Sequence, residues 1–395
     1  MISKRLRASL DGAVCIRDIF EEGKKLAAIY GKENIFNFSI GNPNVEPPAI
    51  VNETMKEVLD TEEPLTLHGY PANVGHPDVR RCVAGHLNKK FGMHYDENGI
   101  IMTSGAASAL SILCNTFLDI DDEVITFAPY FWEYKSYVET LYGKLVPALC
   151  DQKTLQPDPE TFEAAFTPKT RMVFINNPNN PTGAVYTEES IKKVAEIMER
   201  KQKEYGHPIY LISDEPYRLL AYGGLEVPYL PLYYKNTIVV YSYSKTLSIP
   251  GERVGYIALS DDVADYQDII AGITASIRYL GYVNAPSLQQ KILLKCVDAS
   301  VDVSIYEKNR DLLYHSLTDI GYDCIHPDGA FYLFMRSLEP DDFEFCQKAK
   351  EERILMAPGT AFSGPGFVRI SYCVPYEVVE RSIPAFKRLY DKYQK

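Results

Sequence analysis

Seven short β-rich runs recur through the middle of this chain, and helix-length amphipathic segments separate several of them. The runs are Ile100–Thr103, Glu123–Phe127, Lys144–Leu149, Met172–Ile175, Ile209–Ser213, Thr237–Tyr241 and Gly255–Leu259; the helical patterns include Ala106–Leu118, Glu188–Tyr205 and Ala264–Ile277. Two parallel strands cannot be joined by a tight turn and need a crossover, usually a helix. The alternation therefore predicts an α/β fold with a mostly parallel, doubly wound sheet covered by helices on both faces.

The sheet would occupy residues 46–284 as a large domain. A chain of 395 residues exceeds the roughly 300 at which single cores stop growing, so a second domain is expected. After Pro286 a continuous helical pattern runs to about Ile320. CIHPDGAFYLFMR, EFCQKAKEERILMAPG, VRISYC and a closing helix follow. These read as a smaller α+β unit, 285–395, with which the segment 1–45 is expected to dock.

Charge and cysteine usage narrow the partners. A formal net charge of −12 without a basic tract argues against a nucleic-acid surface and leaves a small molecule as the expected partner. Eight cysteines are scattered singly (Cys15, Cys82, Cys114, Cys150, Cys296, Cys324, Cys346, Cys373), which suits reduced thiols and a cytoplasmic location. The first residues read as a basic start into an amphipathic helix with no secretory leader, and no apolar run is long enough to cross a membrane. The histidines show no metal-ligand spacing, so no metal is expected.

Open α/β sheets bind ligands beyond the carboxyl ends of their strands. Four of these ends carry unusual residues: TSGAASAL after the first run, NNPNNPTG after the fourth, SDEPY after the fifth and SYSK after the sixth. They should converge. At Thr103–Leu110 the small residues serve either close packing or a phosphate on the backbone N–H groups of Ala106 and Ala107. Asp214 is either a helix N-cap or a buried carboxylate awaiting a cation. Lys245 on its own reads as a surface lysine. With Ser242, Ser244 and Arg253 beside it, it reads as an amine held next to a phosphate site, able to form a Schiff base with an aldehyde. An imine-forming lysine, an aspartate for a pyridinium nitrogen, Asn180 and Tyr217 for a phenolic oxygen, and hydroxyls with an arginine for a phosphate together meet the needs of pyridoxal 5′-phosphate.

On these motifs, in order from SIGNPNVEPP at 39–48 to VRISYC at 368–373, the chain resembles the fold-type I pyridoxal-phosphate enzymes of the class I/II aminotransferase family, the aspartate aminotransferase group. The resemblance implies that Lys245 carries the coenzyme and shuttles the proton, that Asp214 keeps the ring nitrogen protonated, and that Asn180 and Tyr217 bond the ring oxygen. Ala106, Ala107, Ser242, Ser244 and Arg253 would hold the phosphate. Phe131 in APYFWEY, or its neighbour Trp132, would stack on the ring. Arg369 in FVRIS would grip the substrate carboxylate in a pocket lined by Gly41. Tyr70 in HGYPANVG would reach the phosphate of a neighbouring subunit, which implies a homodimer with shared active sites.

The implied activity is transfer of an amino group from an L-amino acid to a 2-oxo acid, with aspartate ahead of aromatic or other neutral donors. Arg278 or Lys291 is the expected cation for a distal carboxylate. Two alternatives share the fold: a lyase or decarboxylase, which would release product without an acceptor, and the ligand-sensing domain of a regulator, which would carry a helix-turn-helix region ahead of the first motif.

Overall fold

The computed structural model describes Ile2 and residues 16–394. The expected basic start, Cys15 included, otherwise lies outside the described residues. An opening helix, Ile16–Tyr30, leads to the short strand β1 (Phe36–Asn37). Seven strands then form the central sheet: β2 (Ile100–Thr103), β3 (Glu123–Ala128), β4 (Lys144–Leu149), β5 (Thr170–Asn176), β6 (Tyr210–Asp214), β7 (Thr237–Ser242) and β8 (Gly255–Leu259).

Their spatial order is β2-β8-β7-β6-β5-β3-β4. Neighbours run parallel except at β8, which is antiparallel to both β2 and β7. The reversal has a local cause. Between β7 and β8 the chain has room only for one helical turn, Tyr243–Thr246, and a 3₁₀ turn, Pro250–Glu252. Without a crossover helix the returning strand runs back beside its predecessor. Lys245 and Arg253 are thereby held on one short return at the same end of the sheet.

Both faces of the sheet are covered, and adjacent residues divide between them. Ile101, Val124, Phe174, Ile212, Val240 and Ile257 pack in one core with the helices Ala106–Phe117 and Tyr266–Tyr279. Ile100, Met102, Val239 and Ala258, and separately Ile125, Val173 and Leu211, pack on the other side. This period of two, apolar in both phases, is what a sheet buried on both faces requires.

A smaller antiparallel sheet, in the order β12-β13-β10-β9, is built from β9 (Cys324–Ile325), β10 (Tyr332–Arg336), β12 (Ala357–Pro358) and β13 (Phe367–Ser371). Beside it β11 (Ile354–Leu355) pairs in parallel with β1. Phe331, Leu333, Met335, Val368, Ile370 and Phe386 share one core, covered by the helices Ser304–Ile320 and Tyr376–Lys392.

The helical pattern expected to run unbroken from Pro286 to Ile320 is interrupted. Helices span Ser287–Lys291 and Leu293–Cys296, and the next begins only at Ser304. In between, Val301 N–H donates to Thr246 O at 2.8 Å, and Asp302 Oδ1 accepts from Ser304 N–H at 3.0 Å. A tertiary backbone bond and an aspartate turn replace helical bonds here, as residues of this type favour.

Candidate active site

The carboxyl ends of β2, β5, β6 and β7 open on one cavity of about 590 Å³. Ala106, Ala107, Asn180, Asp214, Tyr217, Ser242, Ser244, Lys245 and Arg253 all line it, as do Gly41, Phe131 and Arg369.

At one end, the helix Ala106–Phe117 starts after Gly105, whose φ of 84° lies in the left-handed region and which makes no side-chain cap. The first-turn N–H groups of such a helix are anion sites. Arg253 sits across this turn: its guanidinium donates to Ser104 O at 2.9 Å, to Pro250 O at 3.1 Å and to Ser244 Oγ at 3.4 Å. The backbone angle calls for glycine, and a Cβ on Gly105 would stand 2.7 Å from that guanidinium and push it aside. Ser242 Oγ donates to Ser244 Oγ at 2.8 Å. Backbone N–H groups, two hydroxyls and a planar cation thus converge, a donor set that fits a phosphate.

Deeper in, Asp214 is buried. Its Oδ2 accepts from Tyr134 Oη at 2.6 Å, and its Oδ1 has no partner. Burial pushes the carboxyl up to about 7; the Tyr134 bond opposes the shift and Glu215 adds to it. A buried acceptor without a donor is costly, and a protonated ring nitrogen would satisfy it. Asn176 Nδ2 donates to Asp214 O at 2.9 Å, while its Oδ1 accepts from Asn180 N–H at 2.6 Å, so one side chain ties the β5 and β6 ends together. Tyr217 Oη and Tyr332 Oη lie 2.8 Å apart. Phe131 and Trp132 both line the cavity, and Phe131 packs edge-on against Tyr134 at 5.6 Å.

Lys245 Nζ donates to Gly41 O at 2.9 Å. Desolvation lowers its pKa to about 8; Cys373 works against the shift, and the nearby Arg253 and Arg369 cations reinforce it. Arg369 lies buried between the rings of Tyr332 and Phe362, its guanidinium carbon 4.7 and 4.5 Å from their centroids. It donates to Asn180 Oδ1 at 2.9 Å and to Ser39 O at 2.6 Å, and its Nε is unpartnered. Cys373 Sγ lies 3.9 Å from Ile40 O. The segment Ser39–Gly41 therefore presents three successive carbonyls to Arg369, Cys373 and Lys245. A Cβ on Gly41 would collide with the Tyr332 hydroxyl.

Two expected residues, Arg278 and Lys291, lie elsewhere, and Tyr70 was expected to serve a neighbouring subunit. Tyr70 is 90% exposed and outside its own chain's cavity. Arg278 is exposed near the end of the helix Tyr266–Tyr279 and does not line the cavity. Lys291, offered above for a distal carboxylate, is buried and ion-paired with Asp78 at 2.8 Å and Glu62 at 3.6 Å, away from the cavity lining. Its charge serves those two carboxylates.

Tyr134, Asn176 and Tyr332 escaped the reading of the sequence. Asn176 and Tyr134 sit inside motifs already singled out, NNPNNPTG and APYFWEY, where their polar atoms were the available signal. Tyr332 lies in an apolar strand and looks like any core aromatic.

Residues 33–386 match the family described as aminotransferase class I and II. A probable aspartate aminotransferase of Methanocaldococcus jannaschii is 31% identical, the match covering 99% of this chain and 100% of the relative. Aromatic-amino-acid aminotransferase 2 of Thermococcus litoralis is 29% identical over 91% of this chain and 92% of its own length. Among solved structures, an aminotransferase from Eubacterium rectale superimposes with a TM-score of 0.97 at 47% identity, covering 100% of both chains. Aspartate aminotransferase from Thermus thermophilus with maleate gives 0.87 at 26% identity, over 98% of this chain and 99% of that one. The match runs nearly the length of the chain and spans the strand-end motifs that meet in the cavity: this protein is an aminotransferase and belongs to the class I and II aminotransferase family.

Proposed function

We propose that the protein binds pyridoxal 5′-phosphate in this cavity and moves an amino group from an L-amino acid, aspartate first, to a 2-oxo acid. The observation that carries the reading is the placement of Lys245 and the donor-starved Asp214 Oδ1 in one cavity with separate cations for a phosphate and a carboxylate. Bound there, the coenzyme supplies an aldehyde and a ring that withdraws electrons from the substrate's α-carbon.

Each residue's share follows from its surroundings. The Ala106 and Ala107 N–H groups, Ser242, Ser244 and Arg253 hold the phosphate. Asp214, kept in place by Tyr134 and Asn176, holds the proton on the ring nitrogen. Asn180 and Tyr217 bond the ring oxygen, and Phe131 covers the ring face. Arg369 holds the substrate carboxylate beside Gly41 and Asn180, aiming the α-hydrogen at Lys245. Lys245 is the amine that would hold the coenzyme's aldehyde, and as a neutral amine it would take the substrate's α-proton as general base. A pKa near 8 lets an amine serve as base close to neutral pH.

The cavity takes residues from a large domain, 46–284, and from a small one made of 1–45 and 285–395. The working form is a cytoplasmic homodimer in which Tyr70 reaches the partner's phosphate. Asn73 Nδ2 donates to Val283 O, which joins the Tyr70 loop to a strip where Tyr279, Leu280, Tyr282 and Val283 are exposed. A contiguous apolar surface of this kind supports an interface. Relatives named for aspartate and for aromatic amino acids support the ranking of donors.

The test is a screen of amino donors against 2-oxoglutarate with purified protein, following coenzyme absorbance and 2-oxo acid formation. Release of ammonia and pyruvate without an acceptor would overturn the reading in favour of a lyase. Arg369→Ala is expected to raise KM for amino acid and 2-oxo acid alike by about 100-fold, roughly 3 kcal/mol, the range for removing one partner of a buried ion pair. Unchanged kinetics would take Arg369 out of the site.

A further inference from the structure

We infer that Tyr332 is a positioning residue for the coenzyme's ring oxygen: its hydroxyl donates to Tyr217 Oη and so turns the Tyr217 proton toward that oxygen. The inference rests on the function proposed above and adds a residue to the same site.

Backbone pairing brings the two tyrosines together. Ala221 and Gly329 form an antiparallel bridge, Ala330 N–H donates to Leu220 O at 2.7 Å, and Tyr222 N–H donates to Asp328 O at 3.0 Å. A Cβ on Gly329 would stand 2.9 Å from Leu220 O and 2.8 Å from Pro178 Cβ, so glycine lets the two segments lie this close. The turn after β6 is thereby fixed to the start of β10. The Tyr217 ring meets Phe331 and Tyr332 edge-on at 5.5 and 5.7 Å, and the Arg369 guanidinium lies over the Tyr332 ring.

The hydroxyl protons set the direction. Among the described residues, each of these two buried hydroxyls has only the other as a hydrogen-bond partner, at 2.8 Å. One bond uses one proton, so a second hydroxyl proton is left for a ligand. Tyr332 Oη is packed against Gly41, where a Cβ would collide with it. Burial raises both phenols, Tyr332 less far, with the Arg369 cation opposing the rise. The more acidic hydroxyl is the better donor. Tyr332 therefore donates, and the remaining proton belongs to Tyr217, which lines the cavity with Asn180 and Asp214. A hydroxyl whose oxygen already accepts a hydrogen bond is polarised and donates more strongly in a dry site.

The experiment follows the coenzyme absorbance of the holoenzyme against pH. A donor to the ring oxygen stabilises its anionic form, so loss of the donor makes the chromophore keep its proton to higher pH. Tyr217→Phe is expected to raise the midpoint by about one pH unit or more, and Tyr332→Phe by about 0.4. Adding Tyr332→Phe to Tyr217→Phe should move it no further than about 0.1, because the hydroxyl through which Tyr332 acts is already gone. Both substitutions keep the ring and its packing. An unmoved midpoint in Tyr332→Phe, a lowered one, which would mean that Tyr217 donates to Tyr332, or a shift that persists in the Tyr217→Phe background would overturn the inference. Each of these leaves the transaminase reading intact when the wild type titrates and transaminates. A wild type that takes up no coenzyme would overturn both.

Discussion

Lys245→Ala is expected to lower transamination by about 10⁴-fold or more, because it removes both the covalent anchor of the coenzyme and the base that takes the α-proton. The coenzyme should still bind without a covalent bond, since the turn at Gly105, Arg253 and Asp214 are untouched, and absorbance separates the two effects. Borohydride reduction of the wild type followed by peptide mass analysis should place the coenzyme on the peptide bearing Lys245. Near-normal turnover of the variant, or the coenzyme on another peptide, would refute the assignment.

The surroundings of Lys245 add a pH signature. Only a neutral amine attacks an aldehyde, and desolvation brings this amine's pKa from 10.5 to about 8. Capture of the coenzyme by coenzyme-free protein should therefore accelerate about tenfold per pH unit below 8 and level off above it. An exposed lysine would keep accelerating beyond pH 10.

Asp214→Asn is expected to lower kcat by about 1,000-fold, about 4 kcal/mol of barrier, with little change in fold. The amide matches the carboxylate in size but carries no charge to hold a proton on the ring nitrogen, and in a dry site that charge acts at short range through a low dielectric. In the protein alone the carboxyl is pushed up to about 7, so near neutrality it is poised to ionise once a cation arrives. Tyr134→Phe removes one hydrogen bond and should give a loss of only about tenfold. A coenzyme spectrum that reports the same ring protonation in Asp214→Asn as in the wild type would sink the assignment.

The strand ends were legible because polar side chains interrupt runs that are otherwise buried on both faces. Asp214 after YLIS and Asn180 after VFINNPN stand out against such a background. The direction of β8 was not legible, since an antiparallel strand buried on both faces reads like its parallel neighbours, and only the short return through Tyr243–Glu252 reverses it. The break near Val301 depends on a bond to Thr246, a contact more than fifty residues away that no local pattern encodes. Lys291 misled for the same reason: its partners Asp78 and Glu62 lie over two hundred residues earlier. Tyr332 is hidden by type, because a strand tyrosine beside Phe331 and Leu333 is ordinary core until its hydroxyl is seen to meet Tyr217.

The three carbonyls of Ser39, Ile40 and Gly41 form one stretch of the cavity wall. The Ser39 and Gly41 carbonyls accept from the Arg369 guanidinium and the Lys245 amine, and the Ile40 carbonyl between them faces the Cys373 thiol. One tripeptide thus borders two separate chemical stations, and the infrared bands of its isotope-labelled carbonyls are expected to report a change at either.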